Sequence, residues 1–238
     1  LRPVPFGLKI LFNVFSLGSN KNEKSLDKSP GEKLCGSLED MGTTFIKLGQ
    51  FLATRPDIIG DKIAKDLEKL QDKLPAFDTE KAKNIIEKEI GSKSFKNILS
   101  LSKPIAAASI AQVHFAKIRI DDQEKDLAIK ILRPNIHSLV NEELDALMFL
   151  AFLIESIFKK TKRLKLVEVI SLLKEITNVE MDLRFEAAAA GELRDNTIND
   201  EGIIVPKIYW SYTSKRILTL DRIDGVSIRE VEQLKALN

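Results

Sequence analysis

The sequence predicts an α+β protein. Apolar residues recur at helical spacing before residue 100 and again between residues 137 and 196. Between these helical regions lie two short segments rich in β-branched residues, joined by a polar stretch, which is typical of a β-hairpin. A second pair of short strands follows, so the order helices, hairpin, helices, hairpin, helix indicates the α+β class.

The composition limits the classes of function that the protein can have. The 238 residues are 44% hydrophobic, which is enough to bury a core. Basic and acidic residues are nearly balanced at 37 and 35, so charge does not point to nucleic acid. The single cysteine, Cys35, excludes an internal disulfide and suits a reducing compartment. His114 and His137 lack companions at metal-ligand spacing, and we expect both at the surface or at a strand edge.

The apolar runs are too short to span a membrane. The best one, ALMFLAFLI at residues 146–154, is expected to form a buried core helix. The segment at residues 5–19 carries Lys9 and is expected to lie on a membrane surface or to cap a domain. It does not resemble a secretory signal. Because the chain lacks an initiator Met, its start is interpreted as processed or truncated.

Start and stop signals divide the first half into helices. Polar residues 20–36 predict a linker. Pro56 ends the first helix, Asp61 is the expected N-cap of the second, and the third runs from Asp78 to Gly91. These helices are predicted over 38–54, 62–73 and 78–90.

The period then changes to that of strands. The turn DDQEKD separates the first two strands, and WSYTSK separates the second two. The predicted strands are 110–120, 127–133, 205–209 and 216–220. The predicted helices are 137–160, 165–196 and one from about residue 227. The expected domains are 1–36 (apolar segment and linker), 37–100 (helical region) and 101–238.

The helix FIKLGQFL raises a question of charge. Lys47 and Gln50 lie one turn apart on a narrow polar strip. Apolar residues cover most of the remaining surface of this helix: Phe45, Ile46, Leu48, Phe51 and Leu52. An ammonium in such surroundings needs an acidic partner.

Lys130 is a second lysine in apolar surroundings, within AIKIL. Strand alternation places it on the face of Ala128 and Leu132, where apolar groups point. A lone lysine on a strand is more often a solvated edge residue. The hairpin upstream favours a function, because protein kinases cover nucleotide phosphates with such a hairpin and pair them with a strand lysine.

The loop that precedes the first predicted strand, 110–120, has no glycine. Ala106, Ala107, Ala108 and Ser109 allow close approach but do not readily adopt positive φ angles. A helix start or tight packing would explain the alanines equally well, so both interpretations stay open.

Acidic residues follow at EMDLRFEAAAAGEL. On an unbroken helix Asp182 and Glu186 share a face, and Glu180 lies far round from Asp182. Glu186 is the expected partner of Lys130, since an uncompensated buried charge is unfavourable. The alternative is that these acids solvate an exposed helix.

Together these motifs resemble the UbiB family of ABC1-type atypical protein-kinase-like proteins. The motifs are KLGQ, AAASIAQVH, AIK, the E-x-D of residues 180–182 and VPKIYWSYTSKRILTLDRIDG, in family order from about Gly36 to the end. The resemblance implies a kinase-like N-lobe, a small antiparallel sheet plus helices, preceded by a helical K-x-G-Q region. The C-lobe is expected to be absent.

The resemblance also implies roles. Lys47 and Gln50 would form the K-x-G-Q signature, with Lys47 neutralised by Glu180 and Asp182 as a regulatory pair. Lys130 would bind nucleotide phosphates and pair with Glu186. The segment Ala106 to Ser109 would replace the glycine-rich loop, a change associated in the family with altered nucleotide selectivity and restricted protein phosphorylation. The hinge that receives adenine would be Leu220, Asp221, Arg222 and Ile223.

The implied cofactor is ATP or ADP with Mg²⁺. Nothing after Gly225 supplies a catalytic-loop Asp or a D-F-G metal ligand, so these are expected in a missing C-lobe and no catalytic residue or metal ligand is predicted here. Whether this chain alone is an enzyme stays open. The implied function is support of ubiquinone (coenzyme Q) biosynthesis. The family has also been labelled 2-polyprenylphenol hydroxylase, but the sequence contains no flavin or iron motif that would support this label.

A basic run, KKTKRLK at residues 159–165, follows the apolar helix. It is either a solvated loop or a contact with anionic lipid. The expected partners are adenine nucleotide and an anionic membrane surface or quinone-biosynthesis proteins, with no nucleic acid. The expected location is cytoplasmic and peripheral to the inner membrane, the full-length protein being anchored by C-terminal helices. A non-catalytic module that binds membrane or a partner is the alternative function.

Overall fold

The protein is described here by a computed structural model, which covers residues 29–70, 74–226, 228 and 230–236. The predicted apolar segment at residues 5–19 lies outside these residues. The chain divides into two compact units. Among the described residues, the helical unit comprises 29–70, 74–77, 107–112 and 132–181, and the sheet unit comprises 78–106, 113–131 and the described residues from 182 onward.

Helices and strands follow the predicted order with two differences: one strand is additional, and the predicted strand 205–209 does not form, so the second predicted hairpin is absent from the described residues. In chain order the elements are α1 (Pro30–Met41), α2 (Thr43–Ala53), α3 (Pro56–Ile59), α4 (Asp61–Leu67), α5 (Thr79–Phe95), β1 (Ile98–Ala107), β2 (Ala111–Ile120), β3 (Gln123–Leu132), α6 (Ile136–Ile157), α7 (Leu166–Glu180), α8 (Leu183–Asn196), β4 (Ile217–Asp221) and α9 (Val231–Ala236). Short 3₁₀ helices cover Lys159–Leu164 and Trp210–Tyr212.

The first helix begins earlier than the sequence predicts. Ser29 and Glu32 form a reciprocal capping box, and Pro30 occupies the first helical turn. These signals start α1 inside the stretch interpreted as a linker. Gly42, at φ 100°, then separates α1 from α2, so the single helix predicted over 38–54 is two helices.

The helical unit has a core built mainly by the first helices. Leu38 of α1 and Leu67 of α4 are almost completely buried, and Val169 of α7 joins the same cluster. Phe45 and Leu52 of α2 pack against this cluster while remaining partly exposed. The apolar side chains of α2 therefore pack against this core, in agreement with the apolar pattern of its sequence.

Helix α6 is not the fully buried helix that the sequence predicts. One face buries Leu144, Leu147 and Ile154. The opposite face exposes Phe149 at 68% and Phe152 at 62%. An uninterrupted apolar run has no period from which a second, exposed face can be recognised.

The sheet unit contains a four-stranded sheet in the order β1-β2-β3-β4. Strands β3 and β4 are antiparallel, with Lys130 opposite Leu218 and Ala128 opposite Leu220. The α+β class is confirmed. Strand β1 was not predicted: it is an edge strand in which no residue is fully buried and half are exposed, and it contains Pro104, which masks the strand pattern. The predicted strand 205–209 contributes an isolated bridge between Ile208 and Leu220.

The hairpin between β2 and β3 is tighter than predicted. Asp121 and Asp122 have φ values of 51° and 59°, so they form a two-residue turn in the left-handed region. The remaining residues of DDQEKD belong to β3. Aspartate tolerates this conformation better than most residues, but the polar run conceals where the strand begins.

His114 is buried in β2, which corrects the expectation of a surface position. Its ring Nδ1 lies 2.8 Å from the carbonyl oxygen of Ser102 on β1. Burial lowers the pKa of His114, and the contact with Ser102 opposes this shift. Among the residues that the structure describes, no helix is long and apolar enough to cross a membrane.

Candidate functional site

Lys130 lies on the more open face of β3. Four side chains of this strand are buried. Leu127, Ile129 and Ile131 lie on one face, and Leu132, at the end of the strand, lies on the other face with half-buried Ala128 and Lys130. The expectation that Lys130 shares a face with Ala128 and Leu132 agrees with this alternation, but of the two only Leu132 is buried, and the main buried face of β3 is the opposite one.

Glu186 meets Lys130 on that face. The ammonium of Lys130 donates to Glu186 Oε1 at 2.9 Å and to Oε2 at 2.7 Å. The two side chains keep 30% and 49% of their surfaces exposed. Glu186 lies in the first turn of α8, where the helix dipole favours a negative charge. The expected contact is thus present at a position that remains open to solvent.

The beginning of α8 is fixed within the sheet unit. Leu183 and Ala187 are buried, and the N–H of Leu183 donates to the carbonyl of Lys215 at 2.9 Å. Since Lys215 precedes β4, this contact ties the helix to the sheet. Glu186 therefore occupies a defined position.

The E-x-D motif, residues 180–182, lies at a break between two helices. Glu180 is the last residue of α7, and Asp182 is the N-cap of α8 with φ −121° and ψ 95°. The predicted single helix over 165–196 is therefore wrong. The Asp182 side chain accepts the N–H of Arg184 at 3.2 Å, and such a local cap competes with continuation of the helix.

Asp182 has its own cation. Arg184 donates to its two carboxylate oxygens at 2.9 and 2.6 Å. These hydrogen bonds lower the pKa of Asp182 and raise that of Arg184. Arg184 therefore supplies a cation to Asp182, and the neutralisation of Asp182 by Lys47 stays a prediction.

Lys47 contacts Glu180. The Lys47 ammonium lies 2.9 Å from Glu180 Oε2, and the two side chains are 16% and 39% exposed. That oxygen is buried and the contact is not aligned as a hydrogen bond, so the interaction is an ion pair. Gln50 is half-buried one turn further along α2. Its role stays a prediction.

The glycine of the K-x-G-Q motif has a packing role that was not recognised in the sequence. A Cβ atom at Gly49 would meet Leu70 Cδ1 and would lie 2.8 Å from Leu38 Cδ1. Both leucines are buried. Only glycine allows α2 to approach them this closely, and no sequence signal names the neighbours that require it.

The alanine-rich segment lies where β1 turns into β2: Ala106 and Ala107 end β1, and Ala108 and Ser109 lie in the turn. Ala106 is exposed, Ala107 and Ala108 are half-buried, and Ser109 is fully buried. The N–H of Ala108 donates to the carbonyl of Ala111 at 2.8 Å, which closes the turn. A side chain as buried as that of Ser109 is not accessible to a ligand, so the predicted contact is restricted to the alanines.

The predicted hinge comprises the last two residues of β4, Leu220 and Asp221, and the two residues after it, and it has well-defined backbone partners. Leu220 pairs with Ala128 in the sheet. The N–H of Asp221 donates to Lys207 at 3.0 Å and that of Arg222 donates to Asp126 at 3.3 Å. Ile223 is exposed just beyond these contacts.

Side chains also hold the hinge. Tyr209 O–H donates to Asp221 Oδ1 at 2.7 Å. Burial and this contact raise the pKa of Tyr209 to about 12, so the phenol stays protonated. The Arg222 guanidinium lies 4.1 Å from the centre of the Phe115 ring on β2. The hinge therefore contacts β2 as well as β3.

Metal-binding residues are not gathered in the part of the chain described here. No group of three or more His, Cys, Asp or Glu side chains within it is placed to hold a metal ion.

A strand lysine paired with a helix glutamate, on a small antiparallel sheet, defines the N-lobe of a protein-kinase-like fold. The comparisons agree with this class. Residues 69–238 match the ABC1 atypical kinase-like domain, and the chain belongs to this family. It is 38% identical over 208 residues to a protein named "Probable protein kinase UbiB" from Marinobacter nauticus. The resemblance to UbiB proteins is confirmed. The matched region is 87% of this chain and 38% of that relative.

Proposed function

We propose that this chain binds adenine nucleotide. The observation that carries the proposal is the contact of Lys130 with both carboxylate oxygens of Glu186. In protein kinases the corresponding pair positions the lysine that holds nucleotide phosphates. The pair here remains partly exposed, so a phosphate has access to the ammonium.

The proposed contacts divide among three segments. Lys130 contacts the phosphates. The backbone of Ala106–Ala108 covers them, in place of a glycine-rich loop. The adenine base is received by the backbone at Ile223, because Leu220, Asp221 and Arg222 already have sheet partners. Mg²⁺ would neutralise the phosphate charge when bound.

Thermal unfolding with and without nucleotide tests the proposal. ATP or ADP with Mg²⁺ is expected to raise the melting temperature, because a ligand that binds only the folded state stabilises it. Lys130→Met should abolish this shift. Lys117→Met is the matched control, since Lys117 lies on β2 and is 3.6 Å from Glu124, away from Glu186. Equal protection of wild type and Lys130→Met would contradict the proposed role.

Glu186→Gln tests how much nucleotide binding depends on the positioning of Lys130 by Glu186, because the charge of Lys130 itself is kept. The amide keeps the size of the side chain but weakens its hold on the ammonium. Nucleotide affinity should fall less than in Lys130→Met, because the lysine is retained. A larger loss in Glu186→Gln would contradict this order.

The Lys47–Glu180 pair is proposed to hold α2 against the end of α7. The role of Gln50 and Asp182 in the same regulatory motif is part of this proposal. If the pair restrains nucleotide binding, Lys47→Met should change nucleotide affinity while leaving the Lys130 contact intact. Unchanged affinity would leave Lys47 with a role in stability alone.

The whole protein is proposed to support ubiquinone biosynthesis through ATP hydrolysis or phosphoryl transfer. This chain spans 38% of the length of the UbiB relative, so the proposal concerns the full gene product. Replacing Lys130 by Met in that product should lower the cellular ubiquinone content, measured after extraction. Normal quinone content would contradict it.

Association with an anionic membrane surface is the second candidate function. Phe149, Phe152 and Ile157 expose 68%, 62% and 60% of their surfaces on α6. The basic run follows at once, with exposed Lys162 and Arg163. Apolar insertion combined with cations near the headgroups is typical of peripheral binding, at roughly 1 kcal/mol per basic residue.

Flotation with vesicles tests this second function. Binding to vesicles rich in anionic lipid is expected, and it should weaken in high salt. Changing Lys159, Lys162 and Arg163 to Gln should reduce it, whereas Lys165→Gln should have less effect because Glu168 already pairs with Lys165 at 2.9 Å. If neither high salt nor the triple substitution weakens vesicle binding, the proposed electrostatic contribution is contradicted.

A further inference from the structure

An apolar cavity lies among the helices of the helical unit. Its volume is about 80 Å³, and its lining residues come from α1, α2, α3, α6, α7 and the 3₁₀ helix before α7. Every lining side chain is apolar, among them Leu38, Leu48, Ile59, Ala151 and Ile170. Such a cavity offers water no hydrogen-bond partner, so it stays dry and binds apolar groups.

The volume of the cavity limits the ligand that it holds. A cavity of about 150 Å³ in another protein accommodates benzene, so this smaller one holds about three or four carbons of a hydrocarbon chain. The remainder of a longer ligand has to lie outside the cavity.

A polar cleft adjoins the cavity. Its volume is about 490 Å³, and Ile58, Leu164 and Val169 line both spaces. The cleft follows α7 from Lys165, the residue before the helix, to Glu175. A chain whose end lies in the cavity therefore continues into the cleft, where charged side chains surround it.

Arg163 is the cation of the cleft that lacks an acidic partner. The Arg55 guanidinium donates to Asp57 from Nε and from Nη2, both at 2.8 Å. Lys165 donates to both carboxylate oxygens of Glu168 at 2.9 Å. Arg163 is exposed, and within the part of the chain that the structure describes its guanidinium has neither an ion pair nor a hydrogen bond.

Glu175 is the remaining acid of the cleft and lies toward its other end. It follows Glu168 by seven residues, which is about 10 Å along a helix. Arg163 precedes α7. The end of the cleft at Arg163 therefore favours an anion, whereas the end at Glu175 does not.

We propose that the helical unit binds one chain and the phosphate of a membrane phospholipid, with the end of the chain in the cavity and the phosphate at Arg163. A guanidinium suits this role because its donors form a planar fork that matches phosphate oxygens. The choice of a membrane lipid rests on the second candidate function, since Phe149 and Phe152 are exposed on α6, the helix that also lines the cavity. A soluble alkyl phosphate tests the site itself without a membrane.

Binding of n-hexyl phosphate, measured by calorimetry on the whole chain, is the first test. Inorganic phosphate is the reference ligand. Hexyl phosphate should bind roughly tenfold more tightly or better, because each methylene group removed from water favours binding. Equal affinity for the two ligands, or no binding of hexyl phosphate, would overturn the inference.

Ala151→Leu fills the cavity and tests where the chain lies. Ala151 is a buried lining residue of α6, so a larger side chain takes the space of the ligand, and the affinity for hexyl phosphate should fall roughly tenfold. Ala146→Leu, at an exposed position of the same helix, is the matched control and should leave the affinity unchanged. Val169→Ile gives the same comparison if Ala151→Leu does not fold. Unchanged affinity in the cavity-filling variants would overturn the chain site.

Arg163→Gln tests the phosphate contact. The affinity for hexyl phosphate should fall several-fold, because a charge-assisted hydrogen bond is lost. Lys62→Gln is the control, since Lys62 is exposed on α4 and does not line the cleft. A loss in Arg163→Gln no larger than in Lys62→Gln would overturn the assignment of the phosphate to Arg163.

Vesicle flotation distinguishes this inference from the function on which it rests. If the chain binds vesicles but not hexyl phosphate, the inference fails and the second candidate function is retained. If it binds hexyl phosphate but not vesicles, the second candidate function fails, the membrane source of the ligand is overturned, and the site for an alkyl phosphate is retained. Weaker flotation of Ala151→Leu than of Ala146→Leu supports the phospholipid as the ligand.

Discussion

Two lysine–glutamate pairs lie in different surroundings. Lys47 and Glu180 join two helices of the helical unit, and the lysine is only 16% exposed. Lys130 and Glu186 join a strand and a helix of the sheet unit, and the lysine is 30% exposed. The first pair makes one close contact without hydrogen-bond alignment, whereas the second makes two hydrogen bonds.

The difference in exposure gives the two pairs different uses: the first stabilises the fold, and the second is accessible to a ligand. A lysine in mostly apolar surroundings depends on its partner, because removing either charge leaves the other poorly solvated. A more exposed pair contributes little to stability, since solvent screens it. The second pair can therefore exchange its partner for a ligand at small cost, while the first pair is better suited to hold elements together.

Lys47→Met is expected to have the largest effect on stability. It keeps the apolar stem but leaves the Glu180 carboxylate half-buried without its cation, which should lower the free energy of unfolding by about 2 kcal/mol. Urea denaturation measures this loss. Adding Glu180→Gln should recover part of it, and Lys33→Met, at an exposed position of α1, is the control. A Lys47→Met effect no larger than the control would remove the contrast between the pairs.

Gly49→Ala tests the packing beside the first pair. The new methyl group would overlap Leu70 and crowd Leu38, so we expect a loss of about 1–2 kcal/mol despite the better helix propensity of alanine. Gly36→Ala on α1 is the matched variant, because nothing lies within 4 Å of its Cβ position. That variant should be neutral or stabilising in thermal unfolding. Equal effects at both glycines would contradict the close approach of α2.

Acid should weaken the sheet unit through His114. Burial lowers its pKa below the ordinary value of 6.5, so the unfolded chain binds a proton more readily than the folded one. This contribution to stability is complete above about pH 6.5 and is lost as the pH falls below that value. Melting temperatures from pH 7.5 down to pH 5 should drop more in the wild type than in His114→Gln. Parallel curves would show that His114 does not titrate on unfolding.

Lys130→Met should have the smallest effect on stability. The pair is partly solvated, so the free energy of unfolding should change by about 1 kcal/mol or less. Urea denaturation of this variant beside Lys47→Met sharpens the comparison directly. A loss larger than that of Lys47→Met would reverse the assignment of the two roles.

Charge compensation predicted the partner of Lys130, because a lysine within AIKIL needs an acid and the candidates were few. The family resemblance implied the acidic partner of Lys47. The same patterns did not show that Asp182 is taken by Arg184. Helical periodicity continues through that position, whereas the local hydrogen bonds of a cap depend on backbone geometry that periodicity does not describe.

Burial was predicted less well than secondary structure. Phe149 and Phe152 are as apolar as their buried neighbours in α6, yet they face outward. His114 is polar, yet it is buried in β2. Composition states what a residue prefers, and only the packing of neighbouring elements decides which face of a helix or strand is covered.

The amino-acid sequence by itself determined the α+β class, the family and the partner of Lys130, because periodicity, motifs and charge compensation act on residue type and spacing. Tertiary structure alone decided that Gly49 lies against Leu38 and Leu70 and that Arg133 holds the alanine-rich turn. Those contacts join residues that are 11 to 25 positions apart in the chain. Their geometry follows from how whole elements pack, which no local pattern encodes.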